Sequence, residues 1–461
     1  MTKDLTGIPE LAGIATYETA GRVGFSVAQN VERLLRLHWA ERRVMDVLLT
    51  RIASTPEWEV KCAMCLHQWY AAEHADALRK RISEMRHPVP PLDNAPDAAL
   101  DAFFEEVLRS ADTLELVSGV YRVTLRALRD EYVTHIDQTN PLVDQPTRRM
   151  MRSAIVDLDE AIGWGERAFA EMIRVEEKAG DRAGQWEAHL SAYLDAARGI
   201  AGDLPPDGDE SALPEPRARE SFTPNFHPAR DERFSGQYNF NFPPHLVYNA
   251  PGVPADERNL ALLCKRTLEM DVPEMMASFL CERTDQPWPF YYDYSRQLWD
   301  EARHAMLGTV GLNARGIDWK KIPLNVGFSL RLNLHAGPLE RQILLYAIEQ
   351  SLMPSETGKR FEYETAKEAG DELSAHFHDY DWADEVLHAQ IGRRALAREG
   401  ISQQEAIDRA SEIHERTWVR LDDYRNREAQ LDWWPSFVTE NLGKESAANL
   451  AELGELKILA E

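Results

Sequence analysis

The sequence predicts an all-α protein made of two four-helix units joined by a long irregular linker. Three observations carry that expectation. Apolar positions recur at three- and four-residue spacing through most of the chain, with Arg, Glu and Lys between them. No long alternating run appears, and the nearest, Tyr238-Asn239-Phe240-Asn241-Phe242, sits in a loop context. Short segments of the first half recur in the second at a nearly constant offset.

Helices are expected over 26–51, 60–86, 100–135, 146–175 and 186–200. From about Gly202 to Glu257 the pattern breaks. That stretch opens Asp203-Leu204-Pro205-Pro206-Asp207-Gly208-Asp209, is dense in Pro, Asp, Glu and Arg, and reads as a linker draped over a surface. Helical periodicity resumes over 257–283, 289–312, 338–352, 362–396 and 403–430. The expected organisation is therefore a first bundle at 20–200, a linker at 201–256, a second bundle at 257–400 and a helical extension at 401–461.

The repeats give each bundle about 150 residues, as expected for a domain. Trp69-Tyr70-Ala71-Ala72-Glu73-His74-Ala75 lies over Trp299-Asp300-Glu301-Ala302-Arg303-His304-Ala305 at an offset of 230. Asp157-Leu158-Asp159-Glu160-Ala161-Ile162-Gly163-Trp164-Gly165-Glu166 lies over Asp384-Glu385-Val386-Leu387-His388-Ala389-Gln390-Ile391-Gly392-Arg393 at an offset of 227. Shared order and nearly equal offsets point to an internal duplication.

Composition narrows the function classes. The 461 residues are 44% hydrophobic and 28% charged, which is globular. Fifty-two Lys and Arg stand against 77 Asp and Glu, a formal charge of −25. So acidic a surface repels phosphate backbones and anionic headgroups, which discourages nucleic-acid and membrane partners. No apolar stretch reaches transmembrane length and no signal peptide is evident, so a soluble cytoplasmic protein is the expectation. Four cysteines make no disulfide framework, and Cys62-x-x-Cys65, lacking a second pair, reads as buried thiols.

The chemistry concentrates in the second block. Glu301-x-x-His304 and Glu385-x-x-His388 each place a carboxylate and an imidazole on one helix face. Each motif is preceded by an acidic residue in an apolar helix: Glu269, 32 residues before Glu301, and Glu349, 36 residues before Glu385. Such gaps fit one helix, a turn and part of the next. Four carboxylates and two imidazoles form the ligand set of a carboxylate-bridged dinuclear site, suited to two iron ions or to iron and manganese. Glu274 is an alternative to Glu269 as the first-helix ligand. Arg303 and Asp300 are candidates to orient the ligands. His378 is a candidate extra ligand or proton shuttle, with a helix-start or surface position as its plainer reading, and His376 is its near neighbour.

This pattern resembles the ferritin-like superfamily of di-iron and iron–manganese carboxylate proteins. Asp300-Glu301-Ala302-Arg303-His304 and Asp384-Glu385-Val386-Leu387-His388-Ala389-Gln390-Ile391-Gly392 look most like its tRNA-hydroxylase-like branch and that branch's uncharacterised relatives. The resemblance covers about residues 257–400. It implies a ferritin-like bundle whose metals activate dioxygen, with Glu269, Glu301, His304, Glu349, Glu385 and His388 as metal ligands. The expected function is a non-haem oxygenase or oxidase acting on a small molecule. No flavin or nicotinamide fingerprint is present, so electrons come from an external donor or from the substrate. The alternatives are a non-catalytic ferritin-like metal-binding protein and an RNA-modifying hydroxylase, the latter discouraged by the charge of −25.

By the same offsets the first block lacks the site. Ala71, Arg122, Leu158 and Ala161 stand where Glu301, Glu349, Glu385 and His388 do, while His74 and Glu41 remain. Asp157, Asp159, Glu160 and Glu73 are the only nearby substitutes, and a scaffold is the expected role. Near the C-terminus, Leu431-Asp432-Trp433-Trp434-Pro435 is expected to cap the bundle or to join a homodimer.

Overall fold

The computed structural model describes residues 7–176, 178–203, 213–354, 356–418 and 433–453. These residues form helices and loops, with no strand among them. The chain divides into two compact units. The first comprises residues up to Leu48 and His67–Thr223, and the second comprises Leu49–Leu66 and Pro224 onward. The turn between the first two long helices thus groups with the second unit, as do residues 224–256 of the expected linker.

The first unit holds α1 (Val27–Ile52, up to Leu48), α2 (Trp58–Met85, from His67), α3 (Ala98–Val107), α4 (Leu125–Gln138), α5 (Gln145–Val175) and α6 (Ala179–Ala196). Ser26 and Gln29 begin α1 with reciprocal bonds, Gln29 N donating to Ser26 Oγ at 3.3 Å and Ser26 N to Gln29 Oε1 at 3.0 Å. The single helix expected over 100–135 is interrupted. After α3 come Thr113–Val117, a π-helical stretch Ser118–Thr124, and then α4. The helix expected over 186–200 starts earlier and ends at Ala196, where Gly199 turns the chain with φ +77°.

The second unit holds α7 (Ala255–Thr267), α8 (Asp271–Glu282), α9 (Trp288–Asn313), α10 (Gly327–His335), α11 (Pro338–Ser351), α12 (Lys359–Glu368), α13 (Glu372–Arg398), α14 (Gln403–Trp418) and α15 (Trp433–Leu442). Two expected helices are broken here. The 257–283 segment tightens to a 3₁₀ turn at Leu268–Met270, where Pro273 has no N–H to offer the Glu269 carbonyl. The 362–396 segment splits at Gly370, whose φ of +71° ends α12, and Asp371 caps α13 by accepting from Ser374 N at 3.0 Å. That break folds α12 back alongside α13. Of the expected 403–430 helix, α14 is described to Trp418, and 419–430 lie outside the described residues together with Leu431 and Asp432.

Phe279, Phe290 and Tyr294 pack edge to face in the core of this unit. Burying each such side chain contributes about 1.5–3 kcal/mol. α7 and α9 approach backbone to backbone: a Cβ on Gly308 would stand 2.9 Å from Leu263 O and Thr267 N. Tyr238 and Phe240 form no strand and pack against Val326 and Leu330. Trp434 is fully buried, donating from Nε1 to Glu257 Oε1 at 3.1 Å, and so closes over the start of α7. Cys62 and Cys65 are buried and not disulfide-linked, and burial pushes the Cys62 thiol up to about 12. Among the described residues no helix is long and apolar enough to cross a membrane.

Candidate metal centre

Three helices bring four ligand-type side chains together. Glu301 comes from α9, Glu349 from α11, and Glu385 and His388 from α13. One ligand atom of each lies within 4.8 Å of the others, and all four residues are buried. Glu269, His304 and Asp381 form a second such group. The six residues expected from spacing thus fall into two groups, and Asp381, one turn before Glu385, joins them.

The two imidazoles are mounted alike. His388 Nδ1 lies 3.1 Å from Glu301 Oε1 and 3.3 Å from Glu385 Oε2. Its Nε2–H donates to Asp300 Oδ2 at 3.4 Å. His304 Nδ1 lies 3.1 Å from Asp381 Oδ1 and 3.7 Å from both Glu301 Oε2 and Glu385 Oε1, without a hydrogen bond to any of them. Its Nε2–H donates to Asp384 Oδ2 at 3.2 Å. The aspartate before each Glu-x-x-His motif therefore holds the histidine of the other motif. One ring nitrogen tied outward to a carboxylate and the other facing acidic oxygens is the arrangement of metal-bound histidine. Arg303 joins the two outer aspartates, and Arg296 Nε donates to Asp300 at 2.9 Å. Against burial, His388, Arg303 and Arg296 hold the Asp300 carboxyl down at about 2.

The acidic groups are crowded. Burial and the neighbouring charges of Glu385 and Glu301 push Glu349 well above the carboxylate range. Gln297 Nε2 donates to its Oε1 at 3.0 Å, while Oε2 accepts no hydrogen bond. Against burial, Asp381, Asp384 and Glu301 raise His304 to about 10. Crowded buried carboxylates and an imidazole nitrogen without a hydrogen-bond partner fit a transition-metal ion, which would displace the proton and neutralise the acids. The donor set of oxygen and imidazole suits iron or manganese.

Glu274 belongs elsewhere. It is bonded by Lys61 and Arg230 and accepts from Ser329 Oγ at 3.0 Å, so Glu269 is the acidic residue on the side of the centre. His378 is buried against Arg266, whose Nη2 is 2.7 Å from its Nδ1, and burial with that cation drives it down to about 3. It groups with Glu362 and Asp381 and not with the four central ligands. His376 is exposed beside Tyr380.

Sequence spacing missed Asp381, Glu362 and Lys359. Lys359 is fully buried, with Nζ 2.9 Å from Glu385 Oε1 and 3.0 Å from Asp381 Oδ2. The Gly370-Asp371 pair was the available signal, since it marks a helix end followed by a helix cap.

In the first unit no ligand group of this kind occurs among the described residues. His74 Nδ1 lies 3.0 Å from Glu41 Oε1, and its Nε2 lies 3.2 Å from Asp157 Oδ2. Tyr132 Oη donates to the same Glu41 oxygen at 2.8 Å. Arg122 is bound by Glu187 and Glu166, each at 2.6 Å. Leu158 and Ala161 line the space beside His74.

A cavity of 510 Å³ runs along α11 and α13 and is lined by Gln350, Met353, Val386, Ala389 and Arg393 among others. Gln350, Val386 and Ala389 directly follow Glu349, Glu385 and His388 in the chain. No family model matches this chain, and neither a curated protein nor a solved structure matches it.

Proposed function

We propose that this chain is a non-haem metal-dependent oxygenase or oxidase of ferritin-like build that acts on a small molecule. The observation that carries the reading is the buried convergence of Glu301, Glu349, Glu385 and His388 within 4.8 Å. These four would hold an iron or manganese ion, with Glu269 and His304 in the adjoining group. When bound, such an ion supplies electrons to dioxygen and so oxidises a substrate held beside it. Asp300 and Asp384 fix the ring orientation of His388 and His304 through Nε2. Gln297 holds one oxygen of Glu349 and leaves the other for the centre. The four ligands are buried from bulk water, and the surface groove along α11 and α13, lined by the chain neighbours of three of them, is where a small substrate would approach.

We read the two units as a duplicated four-helix bundle in which only the second retained its ligands. His74 and Asp157 repeat the 3.2 Å pairing of His304 and Asp384. Gly165 packs against Tyr121 as Gly392 packs against Tyr346. The negative surface favours a small-molecule substrate over RNA.

The test is anaerobic loading of the purified chain with Fe(II) and exposure to oxygen in the presence of reductant. Bound iron with oxygen uptake that His388→Ala abolishes is the expected result. Bound iron without any oxygen uptake leaves a metal-binding protein and removes the oxygenase reading.

A further inference from the structure

Lys359 stands where a second cation would be coordinated. Its Nζ is 2.9 Å from Glu385 Oε1, 3.0 Å from Asp381 Oδ2 and 3.6 Å from Glu269 Oε1. Glu269 and Asp381, with His304, are the donors of the second ligand group. His304 Nδ1 is itself 3.7 Å from the same Glu385 oxygen that Lys359 holds. The ammonium therefore takes oxygen lone pairs that a second metal would need.

Its position is built into the backbone. Lys359 N donates to Leu352 O at 3.1 Å, tying the start of α12 to the end of α11. The chain passes so close here that a Cβ on Gly358 would fall 2.0 Å from Leu352 O. One turn on, Glu362 accepts from Lys265 at 2.6 Å and from Arg266 at 3.0 Å, clamping α12 to α7. Withdrawing Lys359 from the centre would strip Glu385 of its ammonium and leave Asp381 and Glu269 to Arg266, in a site where the lysine is only 1% exposed.

We propose that this centre takes one transition-metal ion, held by Glu301, Glu349, Glu385 and His388, and that the Lys359 ammonium is its permanent second cation. The inference rests on the metal-centre reading above and replaces the expected pair of ions with one ion and one lysine. Two metals and an ammonium would compete for the oxygens of Glu385, Asp381 and Glu269, and like charges at such separations in a dry interior repel strongly.

The experiment is metal stoichiometry. The full chain, stripped with chelator, is dialysed against Mn(II), and bound metal is measured by elemental analysis and by electron paramagnetic resonance. The wild type is expected to bind one Mn(II) with the spectrum of an isolated ion. Lys359→Met is expected to bind two, with the spectrum of a coupled pair, and Lys359→Gln serves should the methionine variant not fold. Two coupled ions in the wild type overturn the role of Lys359 and leave the metal centre standing. One ion in a folded lysine variant also overturns it, because something other than the ammonium then excludes the second metal. No bound metal in the wild type sinks the metal centre itself. Should neither variant fold, the wild-type stoichiometry and spectrum decide.

Discussion

Arg303 Nη2 donates to Asp384 Oδ2 at 2.8 Å and also bonds Asp300. Those aspartates hold Nε2 of His304 and His388, so one guanidinium ties the outer ends of both rings. Arg303→Gln keeps every candidate ligand and cuts this tie. Metal affinity is expected to fall about 10–100-fold, as for other losses of groups that orient metal ligands. Competition against a chelating dye measures it, and unchanged affinity would mean that the ring orientations are set elsewhere.

Glu349→Gln should separate metal binding from folding. Burial, Glu385 and Glu301 push the Glu349 carboxyl upward, which favours its protonated form, and Gln has the shape of that form. The metal-free variant is expected to melt no lower than the metal-free wild type, because it removes a crowded acid. It should gain little stability from Mn(II) or Fe(II), whereas the wild type gains with the logarithm of metal concentration over Kd. Thermal unfolding of both, with and without metal, is decisive. Equal stabilisation by metal would strike Glu349 from the ligand set.

His388→Ala and His74→Ala should differ sharply. His388→Ala loses an imidazole from the four-residue group, so its metal affinity should fall further than that of Arg303→Gln. His74 is paired with Glu41 and Asp157 in a unit without such a group among its described residues. Its replacement should leave metal content at the wild-type value. Parallel loss of metal in both variants would contradict the assignment of one active and one inactive unit.

His74 should also leave a mark on the pH dependence of stability. Against burial, Glu41 and Asp157 raise its folded-state value to about 9, from an ordinary 6.5. The folded chain thus keeps a proton between those values that the unfolded chain releases. The contribution is fully present below about pH 6.5 and is lost as the pH rises to about 9, with a slope of up to about 1.4 kcal/mol per pH unit. Urea unfolding at pH 6, 7.5 and 9 should show this decline in the wild type and a flatter profile in His74→Gln. Parallel profiles would mean that the ring is neutral when folded.

The long helices were legible because apolar positions recur at three- and four-residue spacing over many turns. Glu301-x-x-His304 and Glu385-x-x-His388 were legible because a three-residue spacing fixes a shared face once a helix is assumed. Lys359 was not legible because periodicity runs straight through Gly370, so 362–396 reads as one helix that begins after Lys359. Only the fold-back at Gly370, with its φ of +71°, sets α12 beside α13 and its lysine among the acids. Arg230 was hidden differently. In a segment rich in Pro and charge it reads as solvated, yet it is buried against Glu274 and Asp271. Charge composition reports solvation on average and says nothing of a pairing made with a distant helix.

Arg266 and Lys359 give the acidic core its own counterions. Arg266 bonds Asp381, Glu362 and Glu269, and Lys359 bonds Glu385 and Asp381. A bundle whose carboxylates are neutralised only by metal must await that metal before it can close. Here most of the compensating charge is covalently part of the polypeptide and arrives with translation. On the proposed metal-centre reading, folding would not wait for the ion, and an ion lost to a chelator would be replaced in a chain that never came apart.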